Sequence, residues 1–566
     1  MQRLHLSNAV RLFSVRHRPF QRSLHLAMAH TTASEPDSET YGKQRYTKGG
    51  RRDVVTAFVR NQNETTTDLS TFLVVKRSEQ VNTYKLHWGG VSGVVEEGDV
   101  SLQERAATEI FEEVGYSTPD QVTFVRSGRP LYVDDPHTGA LKFAVHPFLF
   151  DLTPRGPTPP PPPRLQWENV DLQFVAAGAL ETMQTVPRLV DTLARLTLTP
   201  RQEAVLKTLT DDRTHGAAQL AYFVLDALEE DVRWYRSENG DEDERINSSS
   251  LSGPMVLESL RNYGYHLACC RPSMTSLATT VAIVLSQLHH RLHDVASAFE
   301  VTQEEVCNTA LEAVAKVRHQ LTENHAALVR HVAQDILKDG CTVMTISKSS
   351  SVIQALEQAV GEEKKKINVV VCESRPLYEG VAVAQKLSGI RGIGEVTVIT
   401  DAQAGVFLRQ KGTRAPTGGG SSNCSIDCVV VGADAVDDKG VHNKSGTYMV
   451  ALAAREAGVP VYALADTTSK ISPGMSVRQL AEGAQEEEEE EENSADEVSE
   501  GWGTRYPGAK GMVESGVRVR NVYFESTPLD LVTAVVTEDG PKDKEFIENA
   551  VCEMKERYVE AFQLEL

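Results

Sequence analysis

A chain of 566 residues exceeds what one hydrophobic core organises, so two or three domains are expected, each able to bury an ordinary interior. A formal net charge of −21 and a pI near 5.3 argue against a general nucleic-acid or anionic-membrane binder, which would present a basic face, and no apolar run is long enough to span a bilayer. The eight cysteines show no metal-ligand spacing and read as buried or free thiols of a reducing compartment.

Residues 1–34 hold Arg3, Arg11, Arg16, Arg18 and Arg22 and no acid, with Leu, Phe, Val and Ser interleaved. That composition reads as a mitochondrial presequence, and 1–45 is set aside as presequence and disordered leader. Met28 offers a second start, which makes a cytoplasmic form the alternative.

Apolar strand candidates follow at 54–59, 72–75, 131–133 and 143–150. Among them runs GVVEEGDVSLQERAATEIFEEVGY (93–116). Ser101 and Glu104 form a capping box, and Gly115 stands where a helix ends in a left-handed residue. On a helical wheel Ala107, Ile110, Phe111 and Val114 share one stripe, while Glu109, Glu112 and Glu113 gather opposite with Arg105. Three carboxylates one turn apart suit magnesium or manganese and a phosphate ligand, or else form a solvated acidic face.

Gly93, Asp99, and the run Glu109, Ile110, Glu112, Glu113, Gly115 and Tyr116, with upstream HWGGVSG and TFLVVKR, resemble the Nudix hydrolases. The spacer is one residue longer than the family's, and Thr108 stands where the family has Arg; Arg105 is the candidate substitute. The resemblance implies an α/β/α sandwich over 46–199 and Mg2+ or Mn2+ at Glu109, Glu112 and Glu113. Glu109 is the candidate base or innermost ligand, with outer support from Glu96 and Asp99. It further implies metal-dependent hydrolysis of a nucleoside diphosphate derivative. A Pro-rich loop, 154–163, interrupts this domain, and LQWENVDLQFV resumes it.

From 200 to 340 the pattern is helical. His289, His290 and His293 lack the Glu of a metalloprotease helix and read as exposed. From 341 to 566 the strands CTVMTI, INVVVCES, EVTVITD, CVVVGAD and VPVYALA alternate with helical segments, the signature of a Rossmann-like parallel α/β domain. Ligands of such sheets sit beyond the strands' carboxyl ends, here Ser347-Lys348-Ser349, Glu373-Ser374-Arg375, Asp401 and Asp434. GIRGIG precedes a strand and is given no cofactor role. The run 486–492 is all Glu, so an acidic disordered insertion is expected over about 483–510.

ACCRPSMTSL, CESRPLYEG, VVVGADAVDDKGVHNKSGTY and YFESTPLDLVTAVVTEDG resemble, over 201–562, one superfamily. It comprises the initiation-factor-2B alpha, beta and delta subunits, methylthioribose-1-phosphate isomerase and ribose-1,5-bisphosphate isomerase. The resemblance implies catalysis by Asp434 and binding of a sugar phosphate or nucleotide by Arg271, Arg375, Asn443 and Lys444, with dimerisation through this domain. Ser347 stands where the isomerases have Cys, and Glu379 where they have Gln. The expectation is therefore a Nudix hydrolase fused to a phosphorylated-ligand domain. Isomerase activity or a regulatory initiation-factor role is the alternative.

Overall fold

Short runs rich in Val, Ile and Phe, bounded by turn residues, become strands of two large sheets. The structure, a computed structural model, describes residues 43–47, 49–61, 70–134, 142–153, 164–236, 251–295, 301–410, 425–483 and 491–565. The basic leader through residue 42, the proline tract and Glu run 486–490 lie outside the described residues.

The first sheet holds β1 (Arg52–Asn61), β2 (Thr71–Arg77), β3 (Trp88–Gly89), β4 (Val91–Val94), β5 (Val122–Ser127), β6 (Leu131–Asp134), β7 (Lys142–Leu152) and β8 (Asn169–Ala176). Its path is β3-β2-β1-β7-β5, with β4 on β1, β6 on β7 and β8 on β2; only β1 and β7 run parallel. Helix α1 (Leu102–Val114) buries Leu102, Ala106, Ile110 and Val114 in one core with Val55, Val91 and Phe150. A second core joins Phe58, Phe72 and Trp88 to Leu189 and Leu193 of α2 (Leu189–Ala194). Half of the expected capping box forms at the start of α1, where the Ser101 side chain accepts the Glu104 N–H at 3.1 Å, and Gly115 closes the helix at φ 82°. The wheel erred elsewhere. Phe111 is 59% exposed, whereas Glu109 and Glu113 are each 6% exposed, because Glu113 finds partners on β4 and β8 and Glu109 pairs with Arg105 of its own helix.

Helices α3 (Pro200–Asp211), α4 (Ala217–Arg236), α5 (Gly253–Cys269), α6 (Thr275–Val295) and α7 (Gln303–His331) share one core with the second large sheet. That sheet holds β9 (Thr342–Thr345), β10 (Ile367–Cys372), β11 (Ile393–Ile399), β12 (Cys428–Gly432), β15 (Val461–Leu464), β17 (Ala534–Thr537) and β18 (Gly540–Lys542). The strands β13 (Ala435–Val436), β14 (Val441–Lys444) and β16 (Phe524–Thr527) form a small antiparallel sheet of their own. The large sheet runs β11-β10-β9-β12-β15-β17-β18, parallel except for β18. Helices α8 (Ser350–Gly361), α9 (Glu379–Ser388), α10 (Ala404–Leu408) and α11 (Thr447–Ala457) alternate with its strands, as a doubly wound sheet requires.

After α12 (Val477–Glu482), the expected disorder does not extend through 510. Residues 491–510 include α13 (Ala495–Glu500) and the start of α14 (Ala509–Glu514). Cations and amides answer the acids: Glu492 takes Arg520 and the Asn521 N–H, and Glu497 takes Asn521 and Tyr523. The last helix, α15 (Lys544–Phe562), meets the first sheet through Arg129, which is 1% exposed. Arg129 pairs with Glu258 of α5 and donates to the Phe562 carbonyl at 3.3 Å, and Arg195 shares Glu258 at 3.0 Å.

Candidate functional site

In strand order the winding reverses between β9 and β12, and the two chains that leave those strands part to open a crevice. Ser347 follows β9 by two residues and Asp434 follows β12 by two. Both line a cavity of about 520 Å³, together with Arg271, Glu379, Asn443 and Lys444. Six residues singled out in the sequence thus meet in one place. Ser347 sits at φ 70°, in the left-handed region that a side chain occupies only at a cost, and its N–H donates to Ser374 Oγ at 2.8 Å.

Arg375 is the exception. Asp401 accepts the backbone N–H groups of Ser374 and Arg375 at 2.8 and 2.9 Å and fixes that turn. The guanidinium then stacks over Tyr378, 5.2 Å from the ring centroid, and leans toward the Val498 carbonyl. It does not line the cavity, because residues 498–501 of the acidic insertion give it a packing partner.

Asp434 lies between two buried lysines. Burial raises its carboxyl pKa, Lys470 and Lys444 oppose that rise, Glu379 adds to it, and the Ala217 N–H at the start of α4 hydrogen-bonds the carboxylate. Lys470 donates to the Ala433 carbonyl. Lys444 is 3.2 Å from Glu379, and its ammonium sits 4.2 Å from the Tyr523 ring centroid. Asn443 is oriented by Thr447 Oγ1 at 3.1 Å. Arg213 and His215 enter from the loop before α4, where Asp212 accepts the N–H groups of Thr214 and His215 at 2.8 and 3.0 Å. The site can hold an anion and, at Asp434, exchange a proton. Sequence reasoning missed Lys470 and Arg213. Lys470 was within reach of the carboxyl-end rule applied to β15; Arg213 carried no signal beyond its charge.

The carboxylates of α1 form a different arrangement. Glu113 Oε1 accepts the Ser92 N–H at 2.9 Å and Oε2 accepts Asn169 Nδ2 at 2.6 Å. Glu109 pairs with Arg105 across one turn and fills the space in front of Gly93, where a Cβ would overlap its carboxylate. Burial pushes Glu109 up to about 7 and Glu113 up to about 8. Glu112 points to solvent, so the three expected ligands do not form one donor set. Among the described residues no group of three or more His, Cys, Asp or Glu is arranged to hold a metal ion. Asp99 accepts the Glu96 N–H at 2.7 Å and orders the turn before the helix.

Comparison with known proteins places the second half of the chain. A model described as the Initiation factor 2 subunit family matches residues 213–543. The ribose 1,5-bisphosphate isomerase of Archaeoglobus fulgidus is 28% identical over 328 residues, 57% of this chain and 84% of that protein. The methylthioribose-1-phosphate isomerase of Desulforamulus reducens is 28% identical over 301 residues, 52% of this chain and 77% of that protein. A crystal structure of the Pyrococcus horikoshii translation initiation factor eIF-2B is 25% identical with a TM-score of 0.43, covering 61% of this chain and 97% of that one.

Proposed function

This chain belongs to the Initiation factor 2 subunit family, and on that premise we propose that its second half binds a sugar phosphate beyond β9 and β12 and interconverts its aldose and ketose forms. One observation carries the reading: Asp434 stands at the floor of the cavity with Lys444 and Lys470 beside it and Arg271 on its wall. Moving hydrogen between neighbouring sugar carbons needs a group that gives and takes a proton, and cations that hold the phosphate and the oxyanion as it forms. The relatives named as isomerases support the same class of ligand. Ser347 sets the limit, because an alcohol is a far weaker acid than the thiol the isomerase resemblance expects.

The test is to incubate the full chain with ribose 1,5-bisphosphate and follow the ketose product by phosphorus NMR. Slow conversion is expected, faster in Ser347→Cys and lost in Asp434→Asn. Binding without conversion in both the natural chain and Ser347→Cys would sink the isomerase and leave a ligand-sensing regulatory subunit. Pairing of two copies through this half belongs to the same proposal, and the mass in solution reads it.

A second reading rests on Glu109 and Glu113, whose burial and raised pKa values mark a place where a cation would be welcome. In this reading Mg2+ or Mn2+ is held by that pair, and the first sheet serves hydrolysis of a nucleoside diphosphate derivative. Residues before 213 lie outside the family match. A rise in melting temperature with Mg2+ that vanishes in Glu113→Gln is expected; the same rise in both proteins would end this reading.

A further inference from the structure

Glu491, in the Glu run that ends at Glu492, reaches the arginine that the isomerase resemblance assigns to the ligand. Its Oε1 lies 3.3 Å from Arg271 Nη2 and 3.1 Å from Arg213 Nε, and its Oε2 lies 3.5 Å from Arg271 Nε and accepts from Ser273 Oγ. Two guanidiniums and a hydroxyl around two oxygens are the donors that a phosphate monoester also wants. Arg271 is 5% exposed and held in place by the Asp212 carbonyl, so this is a built position and not a chance surface pairing.

The backbone delivers the carboxylate there. Glu492 bridges to Val522, takes Arg520 Nε and the Asn521 N–H at 2.8 Å each, and the Asn493 N–H donates to the Asn521 carbonyl at 2.9 Å. Tyr523, the next residue but one, lines the cavity. Segment and cavity wall are therefore one hydrogen-bonded unit.

We propose that Glu491 is an internal competitor that occupies a phosphate subsite made by Arg213, Arg271 and Ser273, so that a phosphorylated ligand binds there only by displacing it. The proposal rests on the reading that the cavity takes a sugar phosphate. A tethered carboxylate acts at an effective concentration in the millimolar range or above, and the apparent affinity falls by the fraction of molecules in which the subsite is free. A phosphate dianion, with twice the charge, is the ligand able to win two arginines from it; a neutral sugar is not.

Calorimetric titration of ribose 1,5-bisphosphate into the full chain tests this. Glu491→Gln should tighten binding about tenfold, the gain expected when a self-occupied state is removed. Glu514→Gln removes the same charge from an exposed position of α14, away from the Glu491 anchor, and should leave affinity unchanged. Glu491→Asp, with its carboxylate drawn back, should fall between and serves if the Gln variant melts early. Equal affinity in the natural chain, Glu491→Gln and Glu491→Asp overturns the competitor and leaves the sugar-phosphate reading standing. Absence of binding in all of them at millimolar ligand overturns that reading and the competitor with it.

Discussion

The two halves of the molecule each bury carboxylates beside a sheet, and they differ in what answers the charge. On α1 the protein itself answers it: Glu113 has a donor on each oxygen, and Glu109 has Arg105. At Asp434 two lysines stand beside a carboxylate that opens onto a cavity with further cations on its walls. A site with surplus buried carboxylate invites a cation, and a site with surplus buried cation invites an anion. Similar residue types thus sit in opposite surroundings, and the difference lies in neighbours brought from far along the chain.

The largest test of that contrast is Asp434→Asn. Removing the one proton-exchanging group between the lysines should lower turnover of ribose 1,5-bisphosphate by about 10²- to 10⁴-fold, the usual worth of general acid–base catalysis. The dissociation constant should stay within about threefold, since loss at the transition state alone leaves ground-state binding in place. Retained turnover would move the chemistry off Asp434 and erase its distinction from the α1 pair.

Arg129→Met comes next, and it asks whether the halves stand as one unit. Glu258 keeps Arg195 but loses its partner from the first sheet, and the Phe562 carbonyl loses a donor. Breaking a buried pair from one side costs about 3 kcal/mol or more, although the exposure of Glu258 trims it. Urea unfolding should show the midpoint falling. An unchanged midpoint would mean that the halves are held together elsewhere.

Gly93→Ala acts on the α1 site alone. The new methyl meets the Glu109 carboxylate, which must turn away from Arg105 or push the helix off β4. A cost of about 1–3 kcal/mol is expected from overpacking, with ribose 1,5-bisphosphate binding unchanged. Altered binding would show that the two sites communicate.

Much of this was legible in the sequence, for reasons tied to range. The parallel strands read as near-continuous Val and Ile because both faces are covered, and the α1 caps depend on residues three apart. Ser347 and Asp434 were found by the rule that ligands sit beyond strand ends. The side of α1 that faces the sheet was not legible, because Gly93, Ser92 and Asn169 decide it from other strands. Arg375 was misplaced for a similar reason: Tyr378 and the turn held by Asp401 direct it away. Composition alone made Glu491 and Glu492 solvent-bound. Arg271, Arg213 and Arg520, 28 or more residues distant, overrule it.

The last test sharpens the comparison most finely, because it asks which charge state the α1 pair holds. Burial is the main cause at both residues. Arg105 lowers Glu109 while Glu112 and Glu168 raise it; Ser92 and Asn169 lower Glu113 while Glu109 and Glu168 raise it. Both folded values, about 7 and about 8, lie above the ordinary glutamate value of 4.5, so the folded protein keeps these protons longer than the unfolded chain does. Their contribution to stability is complete below pH 4.5 and is lost as pH rises through 7 and 8. The melting temperature should therefore fall between pH 5 and pH 8.5, and Glu113→Gln, neutral throughout, should flatten the fall. A bound cation needs the deprotonated pair, so Mg2+ should raise the melting temperature more at pH 8.5 than at pH 6. A natural chain whose stability ignores pH across this range would mean that Arg105, Ser92 and Asn169 already satisfy two ionised carboxylates. The α1 pair would then be a closed structural joint, while the cavity at Asp434 keeps its room for a ligand.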